Sequence, residues 1–108
     1  MTTDDRRKHE RVPIAIAVRY EAHDEHEEQV AVLSQDLSLG GLFLGTFTPA
    51  PAAAILHLRL HLPAPHAEVS ARAKVVHCLQ GFGMGVEFVD FVADGEPRLR
   101  AYLDSIRS

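Results

Sequence analysis

Gln35-Asp36-Leu37-Ser38-Leu39-Gly40-Gly41-Leu42-Phe43-Leu44 places an acid, a hydroxyl and two glycines between two apolar runs. The run before it is Val30-Ala31-Val32-Leu33 and the run after it is Leu42-Phe43-Leu44. Short apolar runs bounded by Gly, Ser and Asp read as strands joined by a turn. Gly-Gly alone would supply that turn, so Asp36 and Ser38 are surplus to it. They are two apart, which in an extended chain sends both side chains to one side. Gly41 leaves that side without a Cβ, so another group can come close to the backbone. The plain reading of the same residues is a strand end with an Asx-type turn and a glycine bulge. The other reading is a small polar pocket, whose carboxylate can accept two parallel hydrogen bonds.

Working outward, several further stretches alternate with period two. Val12 to Tyr20 sets Ile14, Ile16, Val18 and Tyr20 against Ala15, Ala17 and Arg19. That pattern predicts a strand with one face inward, its early Pro13 tolerated at a first position or an edge. Ile55 to Leu62 is the clearest strand: Leu56, Leu58, Leu60 and Leu62 face in, and His57, Arg59 and His61 face out. Glu68 to Leu79 alternates Val69, Ala71, Ala73 and Val75 against Ser70, Arg72, Lys74 and Val76. Gly81-Phe82-Gly83 then turns the chain into Met84, Val86 and Phe88. Strands this closely spaced, with turn signals between them, point to an antiparallel barrel or sandwich. Near the C-terminus the period changes. Asp94-Gly95-Glu96-Pro97 reads as a helix start, and Leu99, Tyr102, Leu103 and Ile106 form an i, i+3, i+4, i+7 stripe. So short a helix needs packing against the barrel or a partner to persist.

Composition excludes several functions. The chain has 108 residues, enough for one domain but too few for a large enzymatic cleft. Its net charge of −4 argues against a nucleic-acid binder. A lone cysteine, Cys78, excludes a disulfide framework and a cysteine-based zinc site. Cys78 reads as a packed small side chain. His23 and His26 lie in an acidic loop that fixes no coordination geometry, and His57 and His61, four apart on a strand, are ~13 Å from each other. No metal site is expected. No catalytic set is visible, so an enzyme is not expected either. The charged N-terminus argues against a signal peptide, and no apolar run is long enough to span a membrane. A cytoplasmic protein without membrane insertion is the expectation.

The first eleven residues carry a basic cluster, Arg6-Arg7-Lys8-His9-Glu10-Arg11. Met1 to Glu10 has no apolar periodicity and is expected to be mobile when free. Arg7 and Arg11 are four apart, which sends both to one side in a strand or a helix. The planar guanidinium forks of such a pair suit phosphate and the O6/N7 edge of guanine. The Asp36 carboxylate suits the N1–H and N2–H edge of the same base. A solvated basic arm is the bland alternative.

Arg7-x-x-x-Arg11 followed by Asp36-x-Ser38-x-x-Gly41 resembles the two-part signature of the PilZ family, bacterial receptors for cyclic di-GMP. Gly83-Met84-Gly85-Val86-Glu87-Phe88 is similar to the glycine-rich strand that closes the family's barrel. The likeness runs from about Arg6 to Phe91, with a C-terminal helix as a frequent addition. It implies an all-β fold: a six-stranded antiparallel PilZ-type barrel, split-barrel-like, with a C-terminal α-helix. The divisions would be an arm over 1–11, a barrel over 12–92 and a helix over 94–107. It implies that Arg7 and Arg11 clamp phosphates and guanine Hoogsteen edges and that Asp36 takes the Watson–Crick edge. Ser38 would bond the ligand or fix the loop, and Gly40 and Gly41 would admit the ligand to the backbone. An Arg directly before the pair, here Arg6, accompanies binding of two stacked ligand molecules in the family. Cyclic di-GMP is thus the implied ligand, with no other cofactor, and a downstream protein the implied partner. Binding would order the arm against the barrel and present a new surface. Two other classes remain open at this point. One is a PilZ-like adaptor that works without nucleotide, although such domains typically lack one of the two motifs. The other is a small barrel for single-stranded nucleic acid, which the acidic balance and only five Phe and two Tyr disfavour.

Overall fold

The computed structural model describes residues 10–22 and 30–107. Six strands follow one another: β1 (Ala17–Ala22), β2 (Val30–Leu37), β3 (Gly41–Gly45), β4 (Ile55–His61), β5 (Val69–Leu79) and β6 (Gly83–Phe91). They close into an antiparallel barrel in the order β1-β2-β3-β6-β5-β4, with β4 returning to β1. Closure leaves no unpaired strand edge. A helix, α1 (Gly95–Arg107), follows.

The barrel interior is the alternation of the sequence made solid. On β4, Leu56, Leu58 and Leu60 are buried while His57, Arg59 and His61 are exposed. Val18 and Tyr20 from β1, Leu42 and Leu44 from β3, Val69, Ala73 and Val75 from β5, and Met84 and Val86 from β6 meet them. Each fully buried Leu or Val contributes on the order of 1.5–3 kcal/mol relative to exposure. The helix packs on β5 through Leu99, Tyr102 and Leu103. Ile106, the fourth member of the predicted stripe, stays exposed. Arg98 ties the helix start to the sheet, donating to the Glu68 carbonyl at 2.8 Å and to Asp94 within its own helix turn.

The first strand is shorter than its period predicts. Regular pairing begins at Ala17, not Val12. Pro13 has no N–H to offer a ladder. The stretch before Ala17 nonetheless stays beside β2. Val12 and Leu37 exchange both backbone hydrogen bonds, at 2.9 and 3.0 Å. Between them the Ser34 hydroxyl stands in for the missing ladder, accepting from the Ile16 N–H at 3.0 Å and donating to the Ile14 carbonyl at 2.8 Å.

Candidate functional site

The site begins with an irregularity in β2. Pairing with β3 slips between Ser34 and Asp36, leaving Gln35 as an extra residue. On the uninterrupted alternation, Asp36 would share the inward side of Ser34, which is 2% exposed. The bulge reverses that parity. Gln35 and Asp36 both reach the outer side, and Leu37 turns inward to full burial. Bulges serve this purpose next to functional sites: they re-aim one side chain.

Asp36 is therefore half-buried at the barrel surface. Its Oδ1 accepts from the Phe43 N–H at 2.9 Å and from Arg11 Nη1 at 2.7 Å. Its Oδ2 has no hydrogen-bond partner among the described residues. The Val12–Leu37 bridge explains how Arg11 arrives. Arg11 precedes Val12, so Asp36 is its diagonal neighbour across the pair, within reach of a long side chain. The Arg11 side chain keeps 48% of its surface exposed and that of Asp36 26%. Half of each signature motif thus meets at one point on the barrel wall. Arg6 and Arg7, and the expectation of a mobile Met1–Glu10 arm up to His9, lie outside the described residues. So do His23 and His26.

Ser38 and Gly41 have a different setting. Ser38 lies past the end of β2, where the two-apart rule for extended chains no longer applies, so it does not share a side with Asp36. It is 2% exposed. Its hydroxyl accepts from the Gly40 and Gly41 N–H groups, each at 3.1 Å, and donates to the Gly41 carbonyl at 3.1 Å. The Ser38 N–H donates to the same carbonyl at 2.9 Å. This is a closed side-chain turn, an ST-type alternative to a backbone turn. Gly41 does admit a close neighbour, but the neighbour is β6. A Cβ there would lie 2.0 Å from the Val86 carbonyl oxygen. The open backbone expected to face a ligand is filled by the protein itself. Gly40 contributes its carbonyl, which accepts from the Phe88 N–H at 2.9 Å. Sequence reasoning also missed Ser34, whose position in an apolar run two residues before Asp36 was the available signal.

Elsewhere on the barrel, no group of three His, Cys, Asp or Glu among the described residues is placed to hold a metal ion. No helix among them is long and apolar enough to cross a membrane. Cys78 is a half-buried free thiol.

The chain matches the PilZ domain over residues 5–105. It belongs to the PilZ family. Members of that family are generally receptors for cyclic di-GMP. The fold is similar to that of the Bacillus subtilis inhibitor of motility (MotI/DgrA), with a TM-score of 0.75 and 19% identity over 94% of this chain. The likeness spans 51% of that protein, so this chain corresponds to about half of it. The PilZ domain of CeSA from a cellulose-synthesizing bacterium is similar as well, with a TM-score of 0.68 and 21% identity over 91% of this chain and 98% of that one. Comparison with curated proteins by sequence found no match. The closed six-stranded barrel with a C-terminal helix is the architecture these PilZ neighbours share.

Proposed function

We propose that this PilZ domain is a receptor for cyclic di-GMP that signals by ordering its N-terminal arm against the barrel. The observation that carries the reading is the Arg11–Asp36 contact at 2.7 Å, which joins the two motif halves at one surface point. The chemistry fits a guanine nucleotide. The free Oδ2 of Asp36 and its shared Oδ1 can receive the N1–H and N2–H of a guanine Watson–Crick edge. Arg11 would then swing from Asp36 to the phosphate or Hoogsteen edge, where its fork bonds bidentately. Arg7, four residues earlier, would supply the second clamp. Ser38, Gly40 and Gly41 would act by holding the loop that carries Asp36, rather than by touching the ligand. Arm ordering converts ligand occupancy into a surface that a downstream protein can read.

Isothermal calorimetry with cyclic di-GMP, against a short oligonucleotide, tests this. Binding of the dinucleotide alone is expected, with Arg7→Ala or Arg11→Ala weakening it about tenfold or more, since charge-assisted bonds contribute ~1.5–3 kcal/mol each. Unchanged affinity in both variants would remove the arginine clamp. No binding by the parent chain would favour the nucleotide-independent adaptor. Arg6 extends the proposal to stoichiometry. Two stacked ligands concentrate phosphate charge, which a third guanidinium offsets while its flat face stacks on a base. Two molecules per chain, falling to one in Arg6→Ala, is the expected result; one in both would leave a single-molecule site.

A further inference from the structure

We infer that Arg19 and Arg59 form an anchoring point on the β1–β4 face for an acidic segment of a partner protein, one that presents two neighbouring carboxylates. The two arginines are register partners, Arg19 on β1 directly opposite Arg59 on β4. Each alternates with buried residues, Val18 and Tyr20 on one strand and Leu58 and Leu60 on the other, and both are exposed on the outer face. Side chains placed directly opposite on antiparallel strands have Cβ atoms about 5 Å apart, and like charges so placed destabilise the sheet. Neither arginine has a hydrogen bond or ion pair among the described residues, whereas Arg11, Arg72, Arg98 and Arg100 each hold a carboxylate. The surroundings leave the pair open. Ala31 stands opposite Arg19 on β2, Ser70 opposite Arg59 on β5, and Ala17 is the preceding outward residue on β1. Small side chains on three sides let another backbone come close, and the Ser70 hydroxyl adds a donor.

Charge selects the occupant and its size. Two guanidinium forks offer parallel N–H pairs that match carboxylates. In an extended segment alternate side chains project to one side about 6.6 Å apart, close to the spacing of the two arginines. Acids fringe the spot. Glu21 is the next outward residue on β1, and Glu68 beside His61 and Asp90 on Arg72 lie in the neighbouring rows of the sheet. Nucleic acid or an anionic membrane would carry phosphates onto those carboxylates and meet a chain of net charge −4. A short acidic segment sets its carboxylates on the arginines alone. Repulsion from more distant acids is screened beyond about 8 Å at physiological salt. Arginine is also the charged side chain that protein interfaces enrich. Asp36 lies five residues along β2 from Ala31, roughly 15 Å, so this anchor is separate from the proposed nucleotide site.

Side-chain NMR of the arginine Nε–H groups, on the full chain at low salt, tests this with the end-blocked peptide Glu-Gly-Glu-Gly-Glu. The Arg19 and Arg59 resonances should shift together to saturation, and the matching Gln-Gly-Gln-Gly-Gln peptide should leave them in place. Arg59→Gln should weaken the Arg19 response about fivefold, as loss of one exposed charge pair does. Arg6→Gln/Arg7→Gln takes charge from the N-terminal cluster instead and should leave the Arg19 and Arg59 response unchanged. Arg59→Gln should also melt no lower than the parent at low salt, because the opposed charge is gone. Absence of a saturable response to the acidic peptide would overturn the inference, as would a response that inorganic phosphate or a short oligonucleotide reproduces at equal concentration. A response that appeared only after Asp24, Glu25, Glu27 and Glu28 were replaced by their amides would overturn it as well, by giving the pair to the chain's own β1–β2 connection. An Arg59→Gln chain that melted well below the parent would make the pair structural.

Discussion

The Ser38–Gly41 turn and the Arg11–Asp36 pair belong to one sequence signature, yet they are built in opposite ways. The turn is closed. Its hydroxyl makes three hydrogen bonds to backbone groups of the same loop, and the vacant Cβ position of Gly41 is filled by the Val86 carbonyl. The pair is open. One carboxylate oxygen is shared between two donors, the other has none among the described residues, and both side chains reach the surface. A group whose bonding capacity is used up inside the protein can only hold shape. A group with capacity to spare can exchange partners. The comparison separates residues that position the site from residues that meet the ligand.

The largest effect should come from the closed half. Gly41→Ala puts a methyl group 2.0 Å from a backbone oxygen on β6, which no rotamer change relieves. Strands β3 and β6 must part, at a cost of about 3 kcal/mol or more. Thermal or urea denaturation should show a variant that is largely unfolded or melts far below the parent. A stable Gly41→Ala that has lost only nucleotide affinity would break the comparison, by returning Gly41 to the ligand.

Ser38→Ala should come next. It strands the half-buried Gly40 N–H and the buried Gly41 N–H, and an unsatisfied buried donor costs ~1–3 kcal/mol. Denaturation midpoints should fall accordingly, while the folded fraction keeps near-parental affinity for cyclic di-GMP. The reverse pattern, intact stability with weak binding, would move Ser38 to the open half.

Asp36→Ala should show the opposite balance. Loss of the Phe43 hydrogen bond and an exposed ion pair costs ~1 kcal/mol of stability. Affinity for the nucleotide should drop by about tenfold or more, because the carboxylate is the proposed guanine acceptor. Calorimetry and melting on the same preparation separate the two. A steep fall in midpoint with intact affinity would place Asp36 with the turn.

Much of this division was hidden in the sequence. The inward leucines of β4 were legible because period two maps directly onto a pleated strand with one buried face. The motif residues were legible as a set, since Arg11, Asp36, Ser38 and Gly41 stand out in type and spacing. Their separate duties were not. Alternation cannot announce that Gln35 is an extra residue, and without that bulge Asp36 points the wrong way. Nor can it say that a glycine's open side faces another strand, because the neighbour of Gly41 comes from β6, over forty residues downstream. The start of β1 was misplaced for a related reason. Apolar period continues through Val12 to Ile16, but Pro13 and the Ser34 hydroxyl replace the ladder there. Facts that depend on a partner distant in sequence are the ones a local pattern omits.

A second Arg–Asp pair supplies the control, with the smallest expected effect. Arg72 and Asp90 face each other across β5 and β6 and are joined by two hydrogen bonds, Nε to Oδ1 at 3.0 Å and Nη2 to Oδ2. Both carboxylate oxygens are engaged, so this pair is saturated where Arg11–Asp36 is not. The Arg72 hydrogen bond holds the Asp90 carboxyl below its ordinary value, with the nearby charges of Arg72 and His57 adding to the effect and partial desolvation opposing it. A lowered folded-state pKa stabilises the fold above the unfolded value, ~3.9 for aspartate, and that contribution is lost as pH falls through the folded value. Arg72→Ala should therefore melt slightly below the parent at neutral pH and low salt. The gap should begin to narrow below about pH 4, the unfolded value, and close as pH falls on through the lowered Asp90 value. It should also shrink at high salt, since exposed pairs are screened. Cyclic di-GMP affinity should be unchanged. Should Arg72→Ala weaken the nucleotide as Arg11→Ala does, spare bonding capacity would not be what distinguishes the two pairs. A gap in melting point that persisted at acid pH would instead assign Arg72 a packing role, independent of Asp90.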